Sequence, residues 1–330
     1  MSTISIIMPV RNAAVYLPEC IESIIAQSHS DWELIAVDDH SADGSYAILK
    51  NYAGSEKRIR VIKNQGRGIT PALISGYNLA RGSYVSRMDA DDKMPIDKLL
   101  TLKNALDLDG QGHVATGLVL YFADYPLGDG FKNYELWLNS LTRRNNNLTE
   151  IYKECPIASP NWLMYRTDFD KCGAFHSDSY PEDYDLVFRM RAAGMQVTGV
   201  PQLTHKWRDS KNRASRTDDN YADNRFSTMK VKYFLQQDYS AEETLVLWGA
   251  GPKGKALAKE LTNNDINFSW ISNNTKKIGH NIYGTVVAPI SNLRQLGNCQ
   301  IIIAVSQQGA KAEILATLNE NNIANYYFFC

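Results

Sequence analysis

The stretch VSRMDADDKMP, residues 85–95, places Asp89, Asp91 and Asp92 directly behind an apolar run. Acids in such a place have an ordinary use, because Asp caps free backbone N–H groups and suits the positive end of a helix dipole. The alternative is a strand whose carboxyl end carries a binding site. What stands on either side separates the two readings.

Upstream, the chain alternates. ISIIMPV (4–10) reads as a buried strand, AVYLPECIESIIAQ (14–27) as a helix with apolar spacing, and WELIAVDD (32–39) as a second strand ending in acids. Residues 44–54 supply another helix, 59–64 another strand, 69–81 a helix halted at Gly82, and SYVSRMDADD (83–92) a strand that again ends in carboxylates. Strands alternating with helices predict an α/β fold with a doubly wound, mainly parallel sheet, and ligands of such sheets bind outside the carboxyl ends of the strands. Asp38 and Asp39 stand at one such end and the acidic triplet at another, so position favours a site over a cap.

Downstream the pattern weakens. Helices are expected near 97–108 and 132–143, a loop at RRNNN (143–147) and an apolar segment at WLMYR (162–166). PEDYDLVFRMRAAG (181–194) opens on Pro and acids, sets Leu186, Val187, Met190 and Ala193 on one face, and stops at Gly194. A polar run over 205–220 precedes a helix over 225–237, and DYSAEE (238–243) reads as a linker. Beyond it the alternation restarts, which divides the 330 residues into domains 1–238 and 239–330.

Composition narrows the classes. Hydrophobic residues make up 44% and charged residues 22%, with a formal net charge of -1, so no basic field points to nucleic acid. No apolar run reaches the roughly 20 residues of a membrane span, and MSTISIIMPVRN lacks a signal-peptide pattern, which makes the cytoplasm the expected location. The five cysteines are scattered without CxxC spacing, against both a disulfide framework and a zinc cage.

Asp89 and Asp91 lie two residues apart, so in extended backbone they share a face from which both can approach one cation, while Asp92 faces away. Hard carboxylate oxygens suit Mg2+ or Mn2+. A calcium loop of the EF-hand kind does not fit, because Met94 and Leu100 stand where Gly and Glu are required.

Taken in order, MPVRN (8–12), AVDDHSADGS (36–45), MDADD (88–92) and PEDYDL (181–186) resemble the inverting family 2 glycosyltransferases of the GT-A fold, over about the first 235 residues. RMDADD, EDYDL and WRDS…NRASR resemble, more narrowly, bacterial members with a C-terminal Rossmann-like domain. The resemblance implies a nucleotide-sugar half over 1–95 and an acceptor half over 96–238. It implies that Pro9, Val10, Arg11 and Asn12 line the nucleotide base. Asp39 then accepts from that base, uracil N3–H foremost, with Asp38 nearby. Asp89 meets ribose or diphosphate in a DXD motif, Asp91 binds the metal and Asp183 is the general base. Arg67 and Arg87 join the donor set, Arg87 either on a sugar hydroxyl or paired with Asp89. Many relatives carry an aromatic residue where Arg11 stands; its guanidinium can stack or contact phosphate, which leaves the base open.

Other residues keep two readings. Glu182 is an acceptor contact or an acid serving the helix dipole, and Asp185 is expected to pair with Arg189. His205 completes the metal site or is a hydrogen-bonded structural residue. Arg208 and Arg213 contact the diphosphate under a closing loop or belong to a solvated surface. Trp162, with Tyr134 and Trp137, stacks on sugar or packs in the core.

WGAGPKG sets Gly249, Gly251 and Gly254 in GxGxxG spacing between a strand and a helix, the setting of a dinucleotide-binding turn. The acid expected at the end of the next strand is missing, with Ser272, Asn273 and Asn274 there instead. NAD is therefore not expected, and the domain takes a structural, regulatory or oligomerising role.

The function expected is metal-dependent, inverting transfer of a sugar from a UDP-sugar to a glycan, glycoside or lipid-linked acceptor, with peripheral membrane association left open. The competing readings are an NAD(P)-dependent oxidoreductase built on the C-terminal glycines and a non-catalytic nucleotide-sugar-binding module. A sugar-nucleotide pyrophosphorylase would carry a Gly-rich, basic loop after its first strand, where this chain has PVRNAAVYLP.

Overall fold

The computed structural model describes residues 3–176, 181–210, 226–307 and 309–330. It comprises two compact units, Met1–Thr149 with Cys155–Arg213, and Glu150–Glu154 with Ala214–Cys330.

The first unit opens with β1 (Ile4–Val10), α1 (Leu17–Ile25), β2 (Trp32–Asp38), α2 (Ser45–Ser55), β3 (Ile59–Lys63), α3 (Ile69–Tyr77) and β4 (Tyr84–Arg87). It continues with α4 (Lys98–Asp109), β5 (His113–Phe122), α5 (Asp129–Arg143), β6 (Trp162–Tyr165), α6 (Arg166–Lys171), α7 (Glu182–Ala192) and β7 (Gln196–Arg208). The sheet order is β3-β2-β1-β4-β6-β5-β7. β3, β2, β1 and β4 pair in parallel; β6 runs antiparallel to both β4 and β5, and β7 parallel to β5. β1 is a continuous apolar run because helices cover both faces of the sheet, leaving Ile4, Ile6, Ile7 and Met8 fully buried. Leu17, Cys20, Ile21 and Ile24 form the buried stripe of α1.

The sequence pattern missed β5 and β7. Their pairing shifts register between Gly117 and Val119, which breaks the two-residue period that marks a strand. β7 is an edge strand, buried at Thr204 and His205 yet exposed over residues 201–203, so it reads as polar loop. The stretch 205–208, expected to begin a loop, is its last turn of strand.

The second unit contains α8 (Phe226–Gln237), β8 (Thr244–Trp248), α9 (Pro252–Asn263), β9 (Ser269–Ser272), β10 (Asn281–Ile282), β11 (Thr285–Pro289), β12 (Cys299–Ile303), α10 (Ala310–Glu320) and β13 (Tyr326–Phe328). Its sheet order is β10-β11-β9-β8-β12-β13, parallel except for the β10–β11 hairpin, which the sequence pattern also missed. α8, expected at the end of the first domain, groups here and packs on α9. The short segment 150–154 joins this unit through Tyr152, whose ring stacks on Phe329 at 4.8 Å and meets Phe234 edge-on at 5.8 Å. Buried Lys230 donates to the carbonyls of Lys153 (2.9 Å) and Phe329 (3.3 Å), and burial lowers its pKa to about 8.

The glycine turn after β8 is set by packing. A Cβ on Gly254 would lie 2.0 Å from the carbonyl oxygen of Gly249, whereas one on Gly251 would meet nothing within 4 Å. Gly254→Ala should therefore destabilise this unit by about 1–3 kcal/mol, as overpacking does. Gly251→Ala, which meets no clash, should lower its unfolding midpoint less than Gly254→Ala does in the same denaturation experiment.

Candidate active site at the carboxyl ends of β1, β2 and β4

Because β1 lies between β2 and β4, the turns that follow these strands are neighbours. The first two turns are laced together. The N–H of Asn12 donates to Ser41 Oγ (3.1 Å) and the N–H of Ala42 to Asn12 Oδ1 (2.9 Å). Ala13 donates to Ser45 Oγ and Ala14 to Asp43 Oδ2, both at 2.9 Å. Asn12 adopts the left-handed conformation, φ 49°, which Asn tolerates better than most residues. Burial acts to raise the pKa of Asp43, but the Ser45 hydroxyl and the N–H groups of Ala14 and Ser45 outweigh it and hold the carboxylate low.

Pro9 and Val10 end β1, and Arg11 and Asn12 stand exposed beyond it. Asp39 is buried and anchors the loop after β3. It accepts from Asn64 Nδ2 (2.7 Å) and from the N–H of Gly68 (3.0 Å to Oδ2), and Arg11 approaches Oδ2 at 3.6 Å. Arg67, next to Gly68, is exposed on that loop. Asp38 is buried, and its Oδ1 has no hydrogen-bond partner. A buried carboxylate oxygen without a donor is costly, and a ligand's N–H or O–H would satisfy it.

The acidic turn after β4 is held from two sides. Arg87, buried at 4% exposure, donates from Nε to Asp89 Oδ1 (3.0 Å) and from Nη1 to Glu182 Oε1 (2.7 Å). Glu182 begins α7 and is itself buried, and its Oε2 has no partner. Next to it Asp183 is half-buried and accepts the N–H of Tyr184 (2.8 Å). Burial raises the pKa of both acids, against the pull of Arg87. Asp185 pairs with Arg189 at 2.7 Å, as the spacing predicts.

On the other side, Asp92 is fully buried. Its Oδ1 accepts the N–H of Arg208 (2.7 Å) and its Oδ2 pairs with His205 Nε2 (2.9 Å). His205 Nδ1 lies 3.2 Å from Lys98 Nζ, which also donates to the carbonyl of Pro160 (2.6 Å). Lys93 and Lys206 exchange backbone hydrogen bonds at 3.1 and 3.0 Å. The end of β7 thus straps down the turn that carries Asp91.

Several expectations change here. His205 is completely buried with both ring nitrogens engaged, so it is a strut beneath the turn and not a metal ligand. Arg208 is buried too. Its Nε donates to the carbonyl of Asp91 (2.7 Å), its Nη2 pairs with Glu19, and its guanidinium lies over the rings of Tyr16 and Phe122. It shapes the turn instead of reaching for phosphate. Trp162 is buried in β6 and stacks on Phe169 at 5.4 Å, a core position. Glu182 faces Arg87. Arg213 lies outside the described residues. Gly249, Gly251 and Gly254 belong to the second unit. Lys98, Asn64 and Glu19 escaped the sequence reading because nothing local marks them; each acts on a residue far away in the chain.

Among the described residues no group of three or more His, Cys, Asp or Glu could hold a metal. Asp89 and Asp91 are partly exposed oxygen donors at the open side of the turn. That donor set fits Mg2+ or Mn2+, which bind through one or two carboxylates and take their remaining oxygens from substrate phosphates and water. No helix among the described residues is long and apolar enough to cross a membrane.

The family model for glycosyl transferase family 2 matches residues 5–173, and the chain belongs to that family. EpsJ of Bacillus subtilis, described as an uncharacterized glycosyltransferase, is 37% identical over 114 residues, 33% of this chain and 33% of EpsJ. TuaG of the same organism, provisionally assigned as a teichuronic acid biosynthesis glycosyltransferase, is 39% identical over 97 residues, 29% of this chain and 38% of TuaG. The chain therefore aligns with only about a third of these relatives' length. The fold is similar to S. aureus TarS 1–349 in complex with UDP-GlcNAc, with TM-score 0.55, 14% identity, and coverage of 79% of this chain and 72% of that one. It is also similar to the mannosyltransferase PcManGT of Pyrobaculum calidifontis in complex with GDP-Man and Mn2+, with TM-score 0.52, 17% identity, and coverage of 78% and 69%.

Lys98 gives a pH test of the strap. Burial lowers its pKa to about 7, although Asp92 opposes the shift. A lysine in the unfolded chain titrates near 10.4, so between about pH 7 and pH 10 the unfolded state binds more protons and stability rises with pH. Thermal unfolding across that range should favour the wild type increasingly over Lys98→Met. A constant difference would show that Lys98 is charged throughout.

Proposed function

We propose that this chain transfers a sugar from a nucleoside diphosphate, UDP foremost, to an acceptor hydroxyl with inversion, in the assembly of a glycan or polysaccharide. The observation that carries this reading is the meeting of Asp89, on the donor side, and the start of α7, which bears Asp183, on the single guanidinium of Arg87. The nucleotide-binding side is then the carboxyl ends of β1 and β2, where Asp38 offers a buried oxygen without a donor. UDP-GlcNAc in TarS, GDP-Man in PcManGT and the teichuronic acid assignment of TuaG support the substrate class.

Asp183 takes the proton of the acceptor hydroxyl as its oxygen attacks the anomeric carbon. The bond from that carbon to the diphosphate breaks on the opposite face, and the diphosphate leaves with the electron pair. Burial raises the carboxylate's proton affinity and Arg87 opposes that rise, a balance that suits a base. A divalent cation held by Asp89 and Asp91 would neutralise charge on the leaving diphosphate. The second unit is an accessory domain in this reading. Acceptor identity, peripheral membrane contact and self-association belong to the same proposal.

Asp183→Asn should lower transfer by about 10²–10⁴-fold, the usual worth of a general base, while nucleotide binding stays within a few-fold. In the wild type, transfer should decline on the acid side as Asp183 takes up its proton. A thermal-shift panel of UDP-, GDP- and dTDP-sugars, with and without Mn2+, should show its largest stabilisation with a UDP-sugar and metal. If no nucleotide raises the melting temperature in either condition, the proposal fails.

A further inference from the structure

We propose that Arg87 is a positioning residue which, through Glu182, sets where the general base stands relative to the donor. This rests on the reading of Asp183 as the base.

Arg87 ends β4, and Glu182 lies 95 residues further along the chain. The guanidinium is planar with donors in fixed directions, so two of its edges address two segments at once. Nε and Nη2 both lie 3.0 Å from Asp89 Oδ1, and Nη1 lies 2.7 Å from Glu182 Oε1. The first turn of α7 has no side-chain cap, since Pro181 occupies the N-cap position. The Glu182 carboxylate is thus the tie between that turn and the acidic turn after β4. Asp183 follows at the next residue, so any movement of Glu182 moves the base.

The unpartnered Oε2 of Glu182 separates tying from simple charge neutralisation. Glu182→Gln removes the charge but keeps an amide oxygen for Arg87 Nη1. Glu182→Ala removes the tie. Arg87→Lys keeps the positive charge but cannot present the two-edged fork.

The experiment measures UDP release from UDP-glucose, UDP-galactose and UDP-GlcNAc with Mn2+, and UDP affinity by calorimetry. Glu182→Ala and Arg87→Lys should each lower kcat by about 10²-fold, the cost of a misplaced reacting group, and in Glu182→Ala KM and UDP affinity should change less than about threefold. Glu182→Gln should retain kcat within about fivefold, and the double variant Arg87→Lys/Glu182→Ala should be no slower than either single. Equal losses in Glu182→Gln and Glu182→Ala would overturn the inference in favour of a charge effect. Multiplicative losses in the double variant, or an unchanged kcat in Arg87→Lys, would overturn it as well. Should Glu182→Ala fail to fold, the contrast between Arg87→Lys and Glu182→Gln decides. Asp183→Asn serves as the control: if it still releases UDP at the wild-type rate, the reading of the base falls, whereas an inactive Asp183→Asn beside a fully active Glu182→Ala defeats only the role given to Arg87.

Discussion

The geometry of the candidate site depends on one buried carboxylate. An ion removed from water is tolerated only when it is paired and hydrogen-bonded, and Asp92 meets that condition through His205 and the backbone of Arg208. With Asp92 turned inward, the turn that its N–H closes on the carbonyl of Asp89 (3.3 Å) leaves Asp91 half-buried, and the extended backbone expected for this stretch stops at Arg87. The inward residue therefore orients the outward ones. Lys98 beneath and Arg208 above complete the mounting, which reaches from α4 to the end of β7.

A second constraint lies at the opposite edge of the turn, where several carboxylates share Arg87. Asp89, Glu182 and Asp183 all lie near Arg87, and each carboxylate lost from water raises the cost of the next. A local excess of negative charge is poorly suited to a bare fold but well suited to receive a cation. The same arrangement raises the proton affinity of the acids at the start of α7. In the proposed reaction, cation attraction and basicity would have one origin.

Much of the first sheet was legible because its strands are short, apolar and separated by helices with clear spacing. β1 to β3 fall where ISIIMPV, WELIAVDD and IRVIKN suggest, while β4 begins within SYVSRMDADD but stops at Arg87, so the acidic triplet lies in the turn that follows. β5 and β7 were not legible, since a register shift and an edge position erase alternation, and the two-residue β10 is too short to carry any pattern. In the site, Asp38, Asp39, Asp89 and Asp91 sit at strand ends in the expected order, and Asp183 in the first turn of α7. Residue type left two readings for His205, Arg208 and Trp162, because it states what a side chain can do and not which way it faces. The partners that decide the matter stand far off: Asp92 and His205 are separated by 113 residues, Arg208 and Glu19 by 189.

The segment 150–154 has a consequence for how such a chain can be made and rearranged. Tyr152 packs with Phe234 and Phe329, so five residues in mid-chain belong to the unit that is otherwise built from the last third. During synthesis these residues emerge long before their partners, and the second unit cannot close until Phe329 has been made. Nor is that unit a cassette that recombination could attach or remove at a single junction. A cut in the linker at 238–243 would leave its core without an aromatic ring contributed from upstream, which ties the inheritance of the two parts together.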